Sequence, residues 1–132
     1  MFNAIDISTS GLVAQRIRTN TIAMNIALAE AVETPEGGPY RRRSVVFAQG
    51  QNPADRSGQG VHVSAINKEA AFRWEYDPQH PYADKNGYVK LPDVDPLVEM
   101  VNLMEASRAY EANITSIEVS KAMLNSSLRL LA

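Results

Sequence analysis

The chain has 132 residues, 45% hydrophobic and 21% charged, and carries a formal net charge of −2. Such a composition belongs to a folded domain and gives no general reason to expect nucleic acid or an anionic membrane as partner. It contains no cysteine, which excludes a disulfide framework, a thiolate-ligated zinc site and a thiol nucleophile.

Helix breakers divide the chain into three. All seven prolines lie between Pro35 and Pro96, and six of the seven glycines between Gly37 and Gly87. Both ends are therefore free to form long helices, while the middle reads as turns and short strands. No apolar run approaches the roughly 20 residues that span a bilayer. The segment Met1 to Asp6 lacks the basic region and unbroken apolar region of a cleaved secretory signal.

The first segment, 1–32, is expected to be an N-terminal axial helix running from about Asn3 to Ala31. Ile5, Leu12, Ile22 and Ile26 fall on one line compatible with a heptad seam. A neighbouring line contains the small residues Gly11 and Ala14. Glycine lowers helix stability, so Gly11 marks either a close approach by another helix or a kink.

The second segment, 33–94, is expected to be a small β-rich middle domain. Thr34 to Pro39 is a turn cluster, Ser44–Ala48 and Val61–Ile66 read as strands, and Gln51–Gly60 reads as the loop between them. Phe72 to Tyr76 alternates, with three aromatics on one face and Arg73 and Glu75 on the other. Asn86-Gly87 reads as a hairpin tip before Tyr88–Leu91. Seven of the nine aromatics lie between Tyr40 and Tyr88, which places the expected small core here.

The third segment, 95–132, is expected to be a C-terminal axial helix. Asp95 is a good N-cap and Pro96 a good first residue. Met100, Leu103, Ser107, Tyr110, Ile114, Ile117, Lys121, Leu124, Leu128 and Leu131 recur at alternating spacings of three and four. This is the pattern of a coiled-coil seam with two polar interruptions. Ser107 and Lys121 either set register between subunits or sit slightly off the seam.

Nothing in the chain suggests catalysis. There is no nucleophile elbow and no phosphate-cradling glycine loop. His62 and His80 belong to no metal or nucleophile motif, and Arg41-Arg42-Arg43 reads as a solvated or intersubunit charge cluster. No catalytic, metal or cofactor residues are assigned, and no cofactor or nucleic-acid partner is expected.

Two signatures resemble a known family. Ser8 to Arg16 followed by Asn25-Ile26-Ala27 resembles the N-terminal signature of bacterial flagellar rod and hook proteins. Glu99 to Asn113 resembles their C-terminal signature. Gly38 to Arg43, Val45-Val46-Phe47 and Tyr76 to Asp95 are similar to the family's short proximal-rod subunits. The chain departs from the usual pattern at Leu28 and Asp93, where the family commonly has asparagine.

The resemblance implies an α+β fold in which the terminal helices pair as an axial coiled coil beside the β-rich segment. It implies a structural subunit of the basal-body proximal rod, polymerising helically into a periplasm-spanning drive shaft that transmits torque. Implied partners are other copies, other flagellar rod proteins, the inner-membrane ring and rod-base adaptor, and the flagellar type III export apparatus during unprocessed export. Asn25, Arg108, Tyr110 and Asn113 match the signatures. With Leu12, Ile22, Ile26, Met100, Leu103, Ile114, Ile117, Leu124 and Leu128 they form the candidate subunit interface. The competing reading is a stand-alone helical adaptor that clasps one partner. Because helix nucleation is costly, the ends of a free rod subunit are expected to order only on incorporation.

Overall fold

A computed structural model describes residues 2–50 and 59–132. Two long helices, α1 (Phe2–Ala27) and α2 (Pro96–Leu131), flank β1 (Arg43–Gln49), β2 (Val61–Lys68), β3 (Phe72–Tyr76) and β4 (Tyr88–Pro92). The architecture is α+β with helical ends, as expected. The expected Gln51–Gly60 loop falls, for residues 51–58, outside the described residues.

α2 begins where its sequence dictates. The Asp95 side chain accepts a hydrogen bond from the Leu97 amide at 2.9 Å, and Pro96 opens the helix without an unsatisfied N–H of its own. α1 ends four residues earlier than the expected Ala31. Ala29 and Ala31 instead donate to the carbonyls of Ile26 and Leu28. That tight turn lets the Tyr40 amide reach the Ala31 carbonyl at 3.0 Å.

The helices pack against each other and run antiparallel. Asn25 meets Glu99, Arg18 meets Glu105, and Gly11 lies against Asn113. These α1 positions are seven residues apart, the spacing that keeps one side of a helix on its partner.

The observed seam on α2 differs from the expected one. Glu99, Leu103, Ala106, Tyr110, Asn113, Ile117, Ser120 and Leu124 are its buried or half-buried line. They keep the alternating four-three spacing, but every other position is displaced by one residue. Leu103, Tyr110, Ile117 and Leu124 belong to it, whereas Met100, Ser107, Ile114, Lys121 and Leu128 are exposed. The reason is steric and polar: α1 approaches through Gly11 and presents Asn25, so α2 answers with small or hydrogen-bonding residues. The bulky apolar side chains one position away remain outside.

β1 and β2 form one antiparallel ribbon packed on α1, and β3 and β4 form another. In β2, Ser64 is an extra residue opposite the Val46/Phe47 step, and its hydroxyl donates to the Val46 carbonyl at 3.1 Å. Asn86-Gly87 is not the tip of a two-residue hairpin. Residues 77–87 link β3 to β4, and the Asp84 carboxylate accepts from the amides of Asn86 and Tyr88. Gly87 has φ +83° and its Cα lies under Tyr76, which together require glycine.

The core includes Tyr40, Val89, Leu91 and Val94 of the middle segment but not the aromatics of β3. Trp74 and Tyr76 are 61% and 64% exposed. Pairing Trp74 with Lys90 and Tyr76 with Tyr88 puts that face outward, while Val89 and Leu91 turn inward and are buried. The remaining buried apolar residues include Ala14, Ile22, Tyr40, Val94 and Ala106, gathered where the helices meet the strands.

Candidate assembly surfaces

At the junction of α1, β1 and α2 lies a buried polar network. Asn25 is on the last turn of α1 and is 1% exposed. Its Oδ1 accepts from the Arg43 amide at 3.0 Å and from the Tyr40 hydroxyl at 2.9 Å. Its Nδ2 donates to the Arg43 carbonyl at 2.8 Å and to Glu99 Oε2 at 3.0 Å. One amide thus reads both backbone groups of the first β1 residue and ties them to α2.

Glu99, also 1% exposed, is completed by Arg42. Arg42 Nε and Nη2 donate to Glu99 Oε1 at 2.9 and 2.7 Å, and Nη1 donates to Glu69 Oε1 at 2.6 Å. Burial works against the charge on Arg42, but the hydrogen bond and charge of Glu99, with Glu69 behind them, outweigh it and raise its pKa. A buried carboxylate is tolerated only when paired and hydrogen-bonded in this way.

The arginine run therefore divides its labour. Arg42 is internal, Arg43 lies over the Tyr40 ring at 5.7 Å and 3.8 Å from Glu36, and Arg41 is exposed. Arg42, Glu99, Tyr40 and Glu69 are the members of this buried junction that pattern reading missed. The available signal was a carboxylate in the first turn of an otherwise apolar helix face.

The sequence-selected residues separate into three groups. Ile22 and Asn25 are buried within the chain. Leu12, Ile26, Leu103, Tyr110, Asn113, Ile117 and Leu124 are half-buried, and the last five line the α1-facing seam. Asn113 Nδ2 donates back to the Ala109 carbonyl at 2.9 Å. Met100, Arg108, Ile114 and Leu128 face solvent. With them are Leu97, Val101 and Met104, giving the start of α2 a dense apolar surface.

The β3–β4 ribbon adds a second exposed surface. Phe72, Trp74 and Tyr76 share a face with Tyr88 and Lys90. Lys90 Nζ stands 4.2 Å from the Phe72 ring centroid and 5.9 Å from that of Trp74. Tyr76 and Tyr88 meet edge to face at 5.2 Å.

The histidines serve local structure. His62 Nδ1 is 2.6 Å from the Gly50 carbonyl, and His80 Nδ1 accepts from the Tyr82 amide at 3.2 Å. Among the described residues, no group of three His, Cys, Asp or Glu is arranged to hold a metal ion, and no helix is long and apolar enough to cross a membrane.

A family model described as flagellar basal body rod FlgEFG protein C-terminal matches residues 85–130. Over 99% of its length the chain is 43% identical to flagellar basal-body rod protein FlgC of Borreliella burgdorferi, covering 97% of that protein. The protein of the same name from Salmonella typhimurium is also 43% identical, over 98% of this chain and 97% of its own length. The chain belongs to the FlgC family of flagellar basal-body rod proteins.

As a FlgC-family member it is a structural subunit of the basal-body rod and not an enzyme. The Aquifex aeolicus FlgC, 44% identical over 92% of this chain and 90% of its own length, supports the same assignment. The expectation drawn from the two terminal signatures is thereby met for family and function.

Proposed function

We propose that this FlgC-family chain polymerises helically in the proximal rod, using the faces of its terminal helices that its own fold leaves uncovered. The observation that carries this reading is the split character of α2. One line packs on α1, while Met100, Ile114 and Leu128, separated by Ser107 and Lys121, form a separate exposed line that is continuously apolar at its start, where Leu97, Val101 and Met104 lie beside Met100. Contiguous exposed apolar surface marks interaction sites, and repeated head-to-tail contacts that do not close build a filament.

In this reading, segments 1–32 and 95–132 form the axial part and 33–94 the outer part. The aromatic β3–β4 face makes lateral contacts with neighbouring rod subunits. The inner-membrane ring and rod-base adaptor are further partners, and the flagellar type III apparatus exports the chain. The assembled shaft spans the periplasm and carries torque outward.

Complementation tests the proposal. In cells lacking the chromosomal copy, the wild-type chain restores swimming and Leu128→Asp, at a position 62% exposed, does not, although the variant accumulates and folds. Full swimming with Leu128→Asp together with Met100→Asp contradicts it.

A further inference from the structure

Asn86 is the one asparagine in the chain that is followed by glycine. An asparagine loses its side-chain amide when the backbone nitrogen of the next residue attacks its Cγ. A Cβ on that next residue hinders the attack, and glycine has none. The surroundings of the pair are unequal: the Asn86 side chain is exposed to solvent, whereas Gly87 is buried.

The folded turn holds the attacking nitrogen in place. The Gly87 amide donates to the Asp84 carbonyl at 3.0 Å, and the Gly87 carbonyl accepts from the Asp77 amide at 2.9 Å. The Asp84 carboxylate accepts from the amides of Asn86 at 2.8 Å and Tyr88 at 2.9 Å, and the Asp84 amide donates to the Tyr88 carbonyl at 2.9 Å. Tyr76 and Pro78 close over the glycine, so that a Cβ there would meet them at 3.0 and 3.1 Å. Attack requires the Gly87 N–H to leave Asp84 and the peptide to swing toward the Asn86 side chain. Both movements break these bonds. The reaction therefore proceeds only from an opened turn, and its rate falls with the fraction of time the turn is open.

We propose that Asn86-Gly87 is a self-modification site controlled by folding: it deamidates in the unfolded chain and is held back in the folded one. Gly87 N gives its proton to solvent base and bonds to Asn86 Cγ. The Cγ–Nδ2 bond breaks, and ammonia leaves with a proton returned from solvent. Water then opens the resulting cyclic imide at either carbonyl, leaving aspartate or isoaspartate at position 86. Either product sets a second carboxylate beside that of Asp84. Isoaspartate also adds a methylene to the main chain, so Gly87 can no longer meet both Asp84 and Asp77, and the β3–β4 register does not re-form. The site thus marks chains that have stayed unfolded.

The full chain is aged at mildly alkaline pH, folded in buffer or unfolded in guanidinium chloride, and then digested briefly with trypsin at mildly acidic pH. The peptide that starts after Lys85 and ends at Lys90 reports the mass gain of deamidation at Asn86. The unfolded chain should gain it at least about tenfold faster than the folded chain. Asn125, which is followed by serine, should lag behind Asn86 in the unfolded chain. Asp84→Ala removes the carboxylate that holds two amides of the turn, and it should speed the reaction in the folded chain alone. Equal rates for folded and unfolded wild-type chain, or no gain at Asn86 in the unfolded chain, overturns the proposal. So does a folded Asp84→Ala chain that reacts no faster than folded wild type. If Asp84→Ala does not fold, the wild-type comparison decides.

Discussion

Gly11 and Asn113 occupy one space between the two helices. A Cβ at Gly11 would lie 2.9 Å from both Nδ2 and Oδ1 of Asn113, too close for either to stay. The glycine thus marks a close approach of α2 to α1, and not a kink, since α1 runs through it unbroken. Gly11→Ala should destabilise the chain by about 1–3 kcal/mol through overpacking, even though alanine favours helix by about 1 kcal/mol. Adding Asn113→Ala should recover most of the loss. Urea unfolding of the three variants decides it, and a stabilised Gly11→Ala single variant would refute the close-approach explanation.

Arg42→Ala should be the most damaging substitution in the basic run. It leaves Glu99 buried without its cation, a situation that typically costs about 3–5 kcal/mol; Arg42 keeps a quarter of its side chain in solvent, which places the expectation near 3 kcal/mol. Arg41→Ala, at an exposed position, should change stability by less than about 0.5 kcal/mol. Equal effects from the two would mean that the junction does not organise the fold.

The alkaline side of the stability profile should report Tyr40. Burial raises its pKa above the usual 10.0; Arg43 opposes the shift, and Glu99 and Glu36 add to it. Below pH 10 the phenol is neutral in both states and its contribution is complete. As pH rises beyond 10 the unfolded chain ionises first, so stability falls until the folded pKa is passed. Tyr40→Phe should be less stable at neutral pH by about 1 kcal/mol for the lost Asn25 bond, and its stability should fall less steeply above pH 10. Parallel profiles for the two proteins would contradict this.

These results show what the sequence could and could not reveal. Strand positions were legible because apolar alternation and turn residues are local. So was the start of α2, where Asp95 and Pro96 act on the next two residues. The seam was legible in period but not in register, because hydrophobicity favoured Met100 and Ile114 over Glu99 and Asn113. Only the side chain brought from α1, 74 residues away in the Asn25–Glu99 pair, makes the polar positions the internal ones. The aromatic cluster misled for a related reason: a two-stranded ribbon has two faces, and only its partners decide that Val89 and Leu91 go inward.

The buried junction also changes what proteolysis should reveal. Helix nucleation alone leads to the expectation that both ends of a free chain are unfolded. Asn25, Arg42 and Glu99 give both helices a partner inside the chain, so brief trypsin treatment should cut first after Arg129 and Lys121. The bonds near Arg18 should survive longer. Simultaneous early loss of everything before about Thr34 and after about Asp95 would restore the unfolded-ends expectation.

Assembly as proposed requires α2 to spend one line of residues inside the chain and to keep the other for neighbouring subunits. Cysteine accessibility measures this directly, because the chain has no cysteine of its own. Met100→Cys and Ile114→Cys should react readily with a maleimide in the isolated protein and become protected in purified basal bodies. Equal labelling in the two states would mean that this line never meets a neighbour, and the claim would be wrong.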